Sequence, residues 1–200
     1  MVSRINWSHR MAGSHKWLAK FARPRNLALA LSAFLIAISV AACGGEQAED
    51  FFPVRGRTLE VHVDRPIFSK QILYTYQGRV MKLEIPDPSK RLVAVRLDVV
   101  NRNITFVPLT IDSESAELGD SLKSIKFKPL DPAGGSNLEG IPPETGVRSP
   151  SLWGEIELTK GTQASGWLFF EVPVGLRISA LWWIEADSIV VRFSDPERAR

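Results

Sequence analysis

Glu60, His62 and Asp64 alternate through an apolar frame of Leu59, Val61 and Val63. In an extended chain, residues two apart share a face at about 7 Å, so this spacing would offer two carboxylates and an imidazole to a divalent metal ion. The solvated face of an edge strand explains the same pattern and is the preferred reading, because polar residues ordinarily alternate along a half-buried strand. A second acidic run, Asp112-Ser113-Glu114-Ser115 with Glu117 and Asp120, supplies oxygen donors suited to calcium. It lacks the Asp/Asn alternation and the glycine of a calcium loop, so a solvated turn is expected. Gly161 and Gly166 have the glycine spacing of a phosphate loop, but Trp167 stands where the lysine belongs and a strand follows instead of a helix. Glu155 and Glu157 share one strand face, whereas glycoside hydrolysis needs its carboxylates across a cleft.

Tryptophan is the other residue type with chemistry to offer, at Trp153, Trp167, Trp182 and Trp183. Neighbouring strand residues point to opposite faces, so Trp182 and Trp183 cannot both enter one core. An outward indole stacks on a sugar or anchors a protein partner, which makes Trp182, Trp183 and Trp167 the candidate partner-binding residues. Packing beneath the 130–152 segment is the blander alternative, and the favoured one. Nucleophilic and multi-histidine chemistry is poorly supplied, since His9 and His15 precede residue 43 and only His62 follows it. There is no Gly-x-Ser-x-Gly elbow, His-Glu-x-x-His pair or dinucleotide fingerprint. A non-enzymatic protein without cofactor or metal is expected, with metal binding or metal-dependent catalysis at Glu60, His62 and Asp64 as the alternative.

The single cysteine, Cys43, closes an uncharged run, Leu27–Ala42, behind a basic stretch holding Arg4, Arg10, Lys16, Lys20, Arg23 and Arg25. A positive region, an apolar region and small residues at a cut form a secretory signal, and sixteen apolar residues fall short of the roughly twenty of a membrane span. Val40-Ala41-Ala42-Cys43 resembles the lipobox of bacterial lipoproteins, with Val40 replacing the commoner leucine. That resemblance implies a cut between Ala42 and Cys43 and a diacylglyceryl group on the Cys43 sulfur. Met11 is an alternative start that keeps the later cations. Acyl chains on one residue meet the two-signal condition for stable anchoring, each buried methylene contributing about 0.8 kcal/mol. The implied location is the extracytoplasmic side of a cell membrane, with membrane lipid as the first partner. Removing these six cations leaves 25 − 6 = 19 basic against 22 acidic side chains, a balance of −3. A nucleic-acid partner is therefore not expected.

Residues 1–42 thus read as a signal peptide and 43–56 as the acylated cysteine with a flexible tether, on the composition Gly44-Gly45-Glu46-Gln47-Ala48-Glu49-Asp50. Residues 57–195 read as an all-β domain and 196–200 as a tail. Period-two alternation recurs from Thr58 onward, most clearly in Arg91–Asn101, where Val93, Val95, Leu97 and Val99 oppose Arg96 and Asp98, so one face is expected in a core and the other in water. Gln77-Gly78-Arg79 reads as a hairpin connection between Ile72–Tyr76 and Val80–Ile85. Weaker strands are expected at Ile104–Leu109 and Ser124–Lys128, and further ones at Trp153–Leu158, Gly166–Val172, Ile178–Ile184 and Ser188–Phe193. The Pro/Gly-rich stretch 130–152 offers no core element and is expected as a long loop.

Val93-Ala94-Val95-Arg96-Leu97-Asp98-Val99-Val100-Asn101 is followed about sixty residues later by Lys160-Gly161-Thr162-Gln163-Ala164-Ser165-Gly166-Trp167-Leu168-Phe169-Phe170-Glu171-Val172-Pro173. Together these resemble a family of unknown function found in secreted bacterial lipoproteins, with an immunoglobulin-like fold related to telokin-like and immunoprotective extracellular antigen domains. The resemblance covers about Leu92–Phe193. It implies an immunoglobulin-like β-sandwich acting as a binding or structural module, toward an envelope protein or polymer, and brings no catalytic residues. Independently of it, Leu168, Phe170 and Val172 form one apolar face with Trp167 and Phe169 on the other, so this strand is expected to be covered on both sides or to expose an aromatic patch.

Overall fold

A computed structural model describes residues 52–198 apart from 141 and 144, with side chains described to residue 194. In chain order its strands are β1 (Phe52–Arg55), β2 (Leu59–Val63), β3 (Ile67–Ser69), β4 (Gln71–Tyr76), β5 (Arg79–Glu84), β6 (Lys90–Asn101), β7 (Phe106–Ile111), β8 (Ala116–Asp120) and β9 (Ile125–Phe127). After a short 3-10 turn at Pro132–Gly134 come β10 (Ser136–Asn137), β11 (Val147–Arg148), β12 (Gly154–Thr159), β13 (Gln163–Pro173), β14 (Arg177–Trp183) and β15 (Ile189–Arg198). The chain is an all-β sandwich of open sheets. One sheet has the order β1-β2-β6-β13, with β3 also on β6; a second is β10-β5-β4-β11, a third β12-β7 and a fourth β15-β14-β8-β9.

The long antiparallel pair β6 and β13 is the spine, in register from Gln163 opposite Val100 to Pro173 opposite Lys90. Period two sends Val93, Val95, Leu97 and Val99 of β6, with Leu168, Phe170 and Val172 of β13, into a main core shared with Leu109, Ile111, Leu118, Leu181, Trp183 and Val191. The alternate residues Leu92, Ala94 and Phe169 enter a second core with Ile72, Tyr74 and Met81 from the β4–β5 hairpin. Tyr74 and Phe169 meet there with ring centroids 4.8 Å apart. The spine is therefore covered on both faces along part of its length, one of the two outcomes expected for Gly166–Val172. For Arg91–Asn101 the expectation of one wet face is corrected: Leu92 and Ala94 are buried beneath the hairpin.

Three other expectations change. Phe52–Arg55, assigned to the tether, forms an edge strand on β2, because Phe52 and Val54 pack against the main core. Strand β15 runs to Arg198, into the range assigned to the tail. The 130–152 stretch is not one free loop: Ser136–Asn137 pairs with β5, Val147–Arg148 runs parallel to β4, and the Tyr74 hydroxyl donates to the Pro132 carbonyl. Two-residue strands have no periodicity to read, so nothing local announces them. The hairpin connection is confirmed, with Gln77 and Gly78 both at positive φ (48° and 74°) as a type I′ turn requires.

Candidate functional site

Strand β2 places Glu60 with its side chain only 5% exposed, where a carboxylate needs partners. Arg55, its register partner on β1, donates from Nε to Oε2 at 2.6 Å. Arg102, just beyond β6, donates from Nε to Oε2 at 3.1 Å and from Nη2 to Oε1 at 3.0 Å. His62 Nε2 lies 2.5 Å from Oε1, and because an ionised carboxylate only accepts, Nε2 carries the proton. The His62 hydrogen bond and then the Arg102 hydrogen bond outweigh the burial that opposes charge. With the Arg55 bond they hold the Glu60 carboxyl at about 2 against an ordinary 4.5. Asp64 faces Arg96, with Oδ2 at 3.9 Å from Nη1.

This arrangement corrects the metal alternative at Glu60, His62 and Asp64. Both Glu60 oxygens are already held by nitrogen donors, and among the described residues no three His, Cys, Asp or Glu side chains are placed to hold an ion. The cluster is a latch between β1, β2 and the end of β6. The second acidic run behaves as the expected turn. Asp112 Oδ1 accepts from the Glu114 amide at 2.7 Å, while Glu114 and Glu117 pair with Lys128 and Lys126 across the sheet.

The tryptophans divide by strand parity. Trp183 is fully buried in the main core and donates from Nε1 to the Glu185 carbonyl at 2.7 Å, so it is removed from the candidate partner-binding residues. A bulge between Ile178 and Ala180 sets the parity that turns Leu181 and Trp183 inward and Trp182 outward. Trp182 is half-buried, with Lys126 Nζ 4.4 Å from the ring centroid. Trp167 packs against the second core, and the Arg148 guanidinium lies 4.8 Å from its ring. Burial lowers the Arg148 pKa. Both outward indoles thus already carry a cation.

A different aromatic pair borders open space. Residues 150–152 run beside β13, where Trp167 N–H donates to the Pro150 carbonyl at 3.0 Å and Leu152 N–H to the Trp167 carbonyl at 2.9 Å. They also reach the hairpin, with Ser151 Oγ donating to the Thr75 carbonyl at 2.9 Å. This segment approaches so closely that a Cβ on Gly166 would lie 2.9 Å from the Pro150 carbonyl oxygen. Between the segment and the Gln77–Gly78 turn lies an open cleft of about 530 Å³, bordered by Thr75, Tyr76, Gln77, Ser149, Ser151 and Trp153, with Gly78, Pro150 and Gly154 completing it. Thr75 Oγ1 and Ser149 Oγ are 2.6 Å apart, and Gln77 Nε2 donates to Tyr76 Oη at 3.3 Å. Sequence reasoning named Trp153 only as part of the tryptophan load and missed Tyr76 and Gln77. The signal was present in part, as a glycine hairpin turn beside an aromatic residue. Ala42 and Cys43, the proposed cut and acylation site, lie outside the described residues.

No protein-family model matches the chain, and no curated protein matches it. A solved structure similar to it is that of ycdA from Bacillus subtilis subsp. subtilis str. 168, a provisionally assigned lipoprotein, at 17% identity and a TM-score of 0.44. The match covers 76% of this chain and 39% of that one, so the chain spans about two-fifths of its neighbour's length.

Proposed function

We propose that this chain is a lipid-anchored extracytoplasmic protein whose immunoglobulin-like head is a non-enzymatic binding module. The anchor is Cys43, acylated after cleavage behind Ala42, and the reading is supported by the basic and apolar order of residues 1–42 together with the single cysteine. The observation that carries the binding assignment is the division of polar groups on the head. Glu60, whose carboxyl is held well below its ordinary range, is consumed in a latch with two arginines and an imidazole. The aromatic, hydroxyl and amide groups of the cleft are instead half-buried or exposed and border open space. A rigid sandwich edge with two aromatic residues and a few polar groups is the usual composition of a recognition site. The partner is an envelope protein or polymer.

Two measurements test this reading. Growth with an alkyne-tagged fatty acid should label the wild-type protein in the membrane fraction, and Cys43→Ala should abolish the label. Recovery of full-length unlabelled protein from the cell interior would overturn the anchor. Retention of envelope material by the immobilised head should depend on Trp153, and retention indifferent to Trp153→Phe and Gln77→Ala would overturn the cleft.

A further inference from the structure

In a chain that is 24% charged, the residues bordering the cleft carry no charge at all. An anionic polymer, a phospholipid headgroup or a nucleic acid would find no cation there to pair with. The lining instead combines two aromatic rings with neutral hydrogen-bonding groups. Trp153 packs from behind on the main core and Tyr76 on the second core, so each ring is held in place while part of it borders the cleft. Preorganised rings of this kind lose little freedom on binding. The Thr75 and Ser149 hydroxyls share one hydrogen bond and Ser151 Oγ donates to a carbonyl, so lone pairs remain for incoming hydroxyl donors. Gln77, tied to Tyr76 through one amide hydrogen, keeps its carbonyl oxygen and second hydrogen for a ligand that both donates and accepts.

We infer that the cleft binds a neutral glycan, the C–H face of a pyranose resting on Trp153 or Tyr76 and its ring-plane hydroxyls meeting Gln77, Ser149 and Ser151. This inference rests on the reading of the head as a binding module and adds the ligand class. A proline-rich peptide also suits an aromatic groove, but it carries no donors along its backbone at the prolines and would leave the cleft's hydroxyl and amide acceptors unmatched.

Titration of the folded head with chitohexaose and maltohexaose, followed by tryptophan emission, tests the inference. Pull-down on purified wall sacculi separates a polymer-bound source from a free sugar. Saturable binding of at least one oligosaccharide is expected, weakened about tenfold by Gln77→Ala and by Trp153→Phe, and unchanged in Trp182→Phe. Gln77 is an exposed turn residue, so its variant keeps the result interpretable should Trp153 variants fold poorly. No saturable binding to either sugar or to sacculi overturns the glycan assignment, as does binding indifferent to Gln77→Ala. Trp153-dependent binding of decaproline without sugar binding overturns the glycan class while sparing the binding module. Loss of all Trp153- and Gln77-dependent retention overturns both.

Discussion

Glu60 is a single carboxylate holding three elements, and its energetics have a definite pH signature. Its folded pKa of about 2 lies below the ordinary 4.5, so its contribution is fully present above about pH 4.5 and is lost as pH falls toward 2. Urea unfolding of the head should show stability falling through that window, and Glu60→Gln should flatten the fall. At neutral pH the same variant should cost about 1–3 kcal/mol, the range for a buried group losing a hydrogen-bond partner, because solvent screens exposed Arg55 and half-exposed Arg102. Asp187 acts similarly at the other side of the β1–β2 turn. Burial opposes its charge, but the amides of Thr58, Leu59, Ser188 and Arg57 outweigh that and lower its pKa. Thr58 N–H and Leu59 N–H donate to Oδ2 at 2.7 and 3.1 Å. Asp187→Ala should leave these amides without their acceptor and lower the unfolding midpoint, by an amount worth about 1–3 kcal/mol. The alternation of Glu60 and His62 was legible in the sequence, but its meaning was not. Arg102, which completes the latch, lies 42 residues away, and no local spacing reveals which cation will reach a buried acid.

Among the elements, the spine was the most legible part of the fold. Val93, Val95, Leu97 and Val99 alternate strictly, and Leu168, Phe170 and Val172 answer them across the pair, so periodicity alone gave the strands and their main-core face. The cover over the opposite face was legible only as one of two outcomes for Gly166–Val172, where Phe169 is apolar. On Arg91–Asn101 it was not, since Leu92 and Ala94 occupy the face that alternation assigns to water until the β4–β5 hairpin folds over them. Strands β10 and β11 and the wall of the cleft depend on contacts such as Ser151 with Thr75, separated by 76 residues. Gly166 is where these elements meet. Gly166→Ala should destabilise the head by about 1–3 kcal/mol, because the new Cβ would contact Leu152 and the Pro150 carbonyl at about 2.9 Å and force the segment away from β13. The same variant should raise protease sensitivity within 141–152. Tyr74→Phe removes only the hydroxyl that holds Pro132, so it should cost about 1 kcal/mol and expose the 130–140 backbone while sparing the cleft wall. Limited proteolysis with mass mapping distinguishes the two.

For the whole molecule, the arrangement of layers separates support from recognition. The main core joins the spine to β7, β8, β12, β14 and β15, while the β4–β5 hairpin closes over the other face of the spine as the smaller second core, whose Tyr76 borders the cleft. Deleting residues 136–148 should therefore leave a folded head, judged by near-ultraviolet circular dichroism from buried Trp183, yet loosen the Ser149–Ser151 wall of the cleft and weaken its retention of envelope material. Loss of cooperative unfolding in that deletion would instead make the strapped segment part of the main fold. Strand β1 adds a consequence for where such a head can work. Nine peptide steps link Cys43 to Phe52, where β1 begins, and nine fully stretched steps reach about 30 Å. The eleven residues of β13 alone extend about 36 Å. With Cys43 acylated as proposed, a mooring line shorter than the hull keeps the vessel at the quay: the head would patrol a shell close to the bilayer and sample only those wall strands that pass within its own body length.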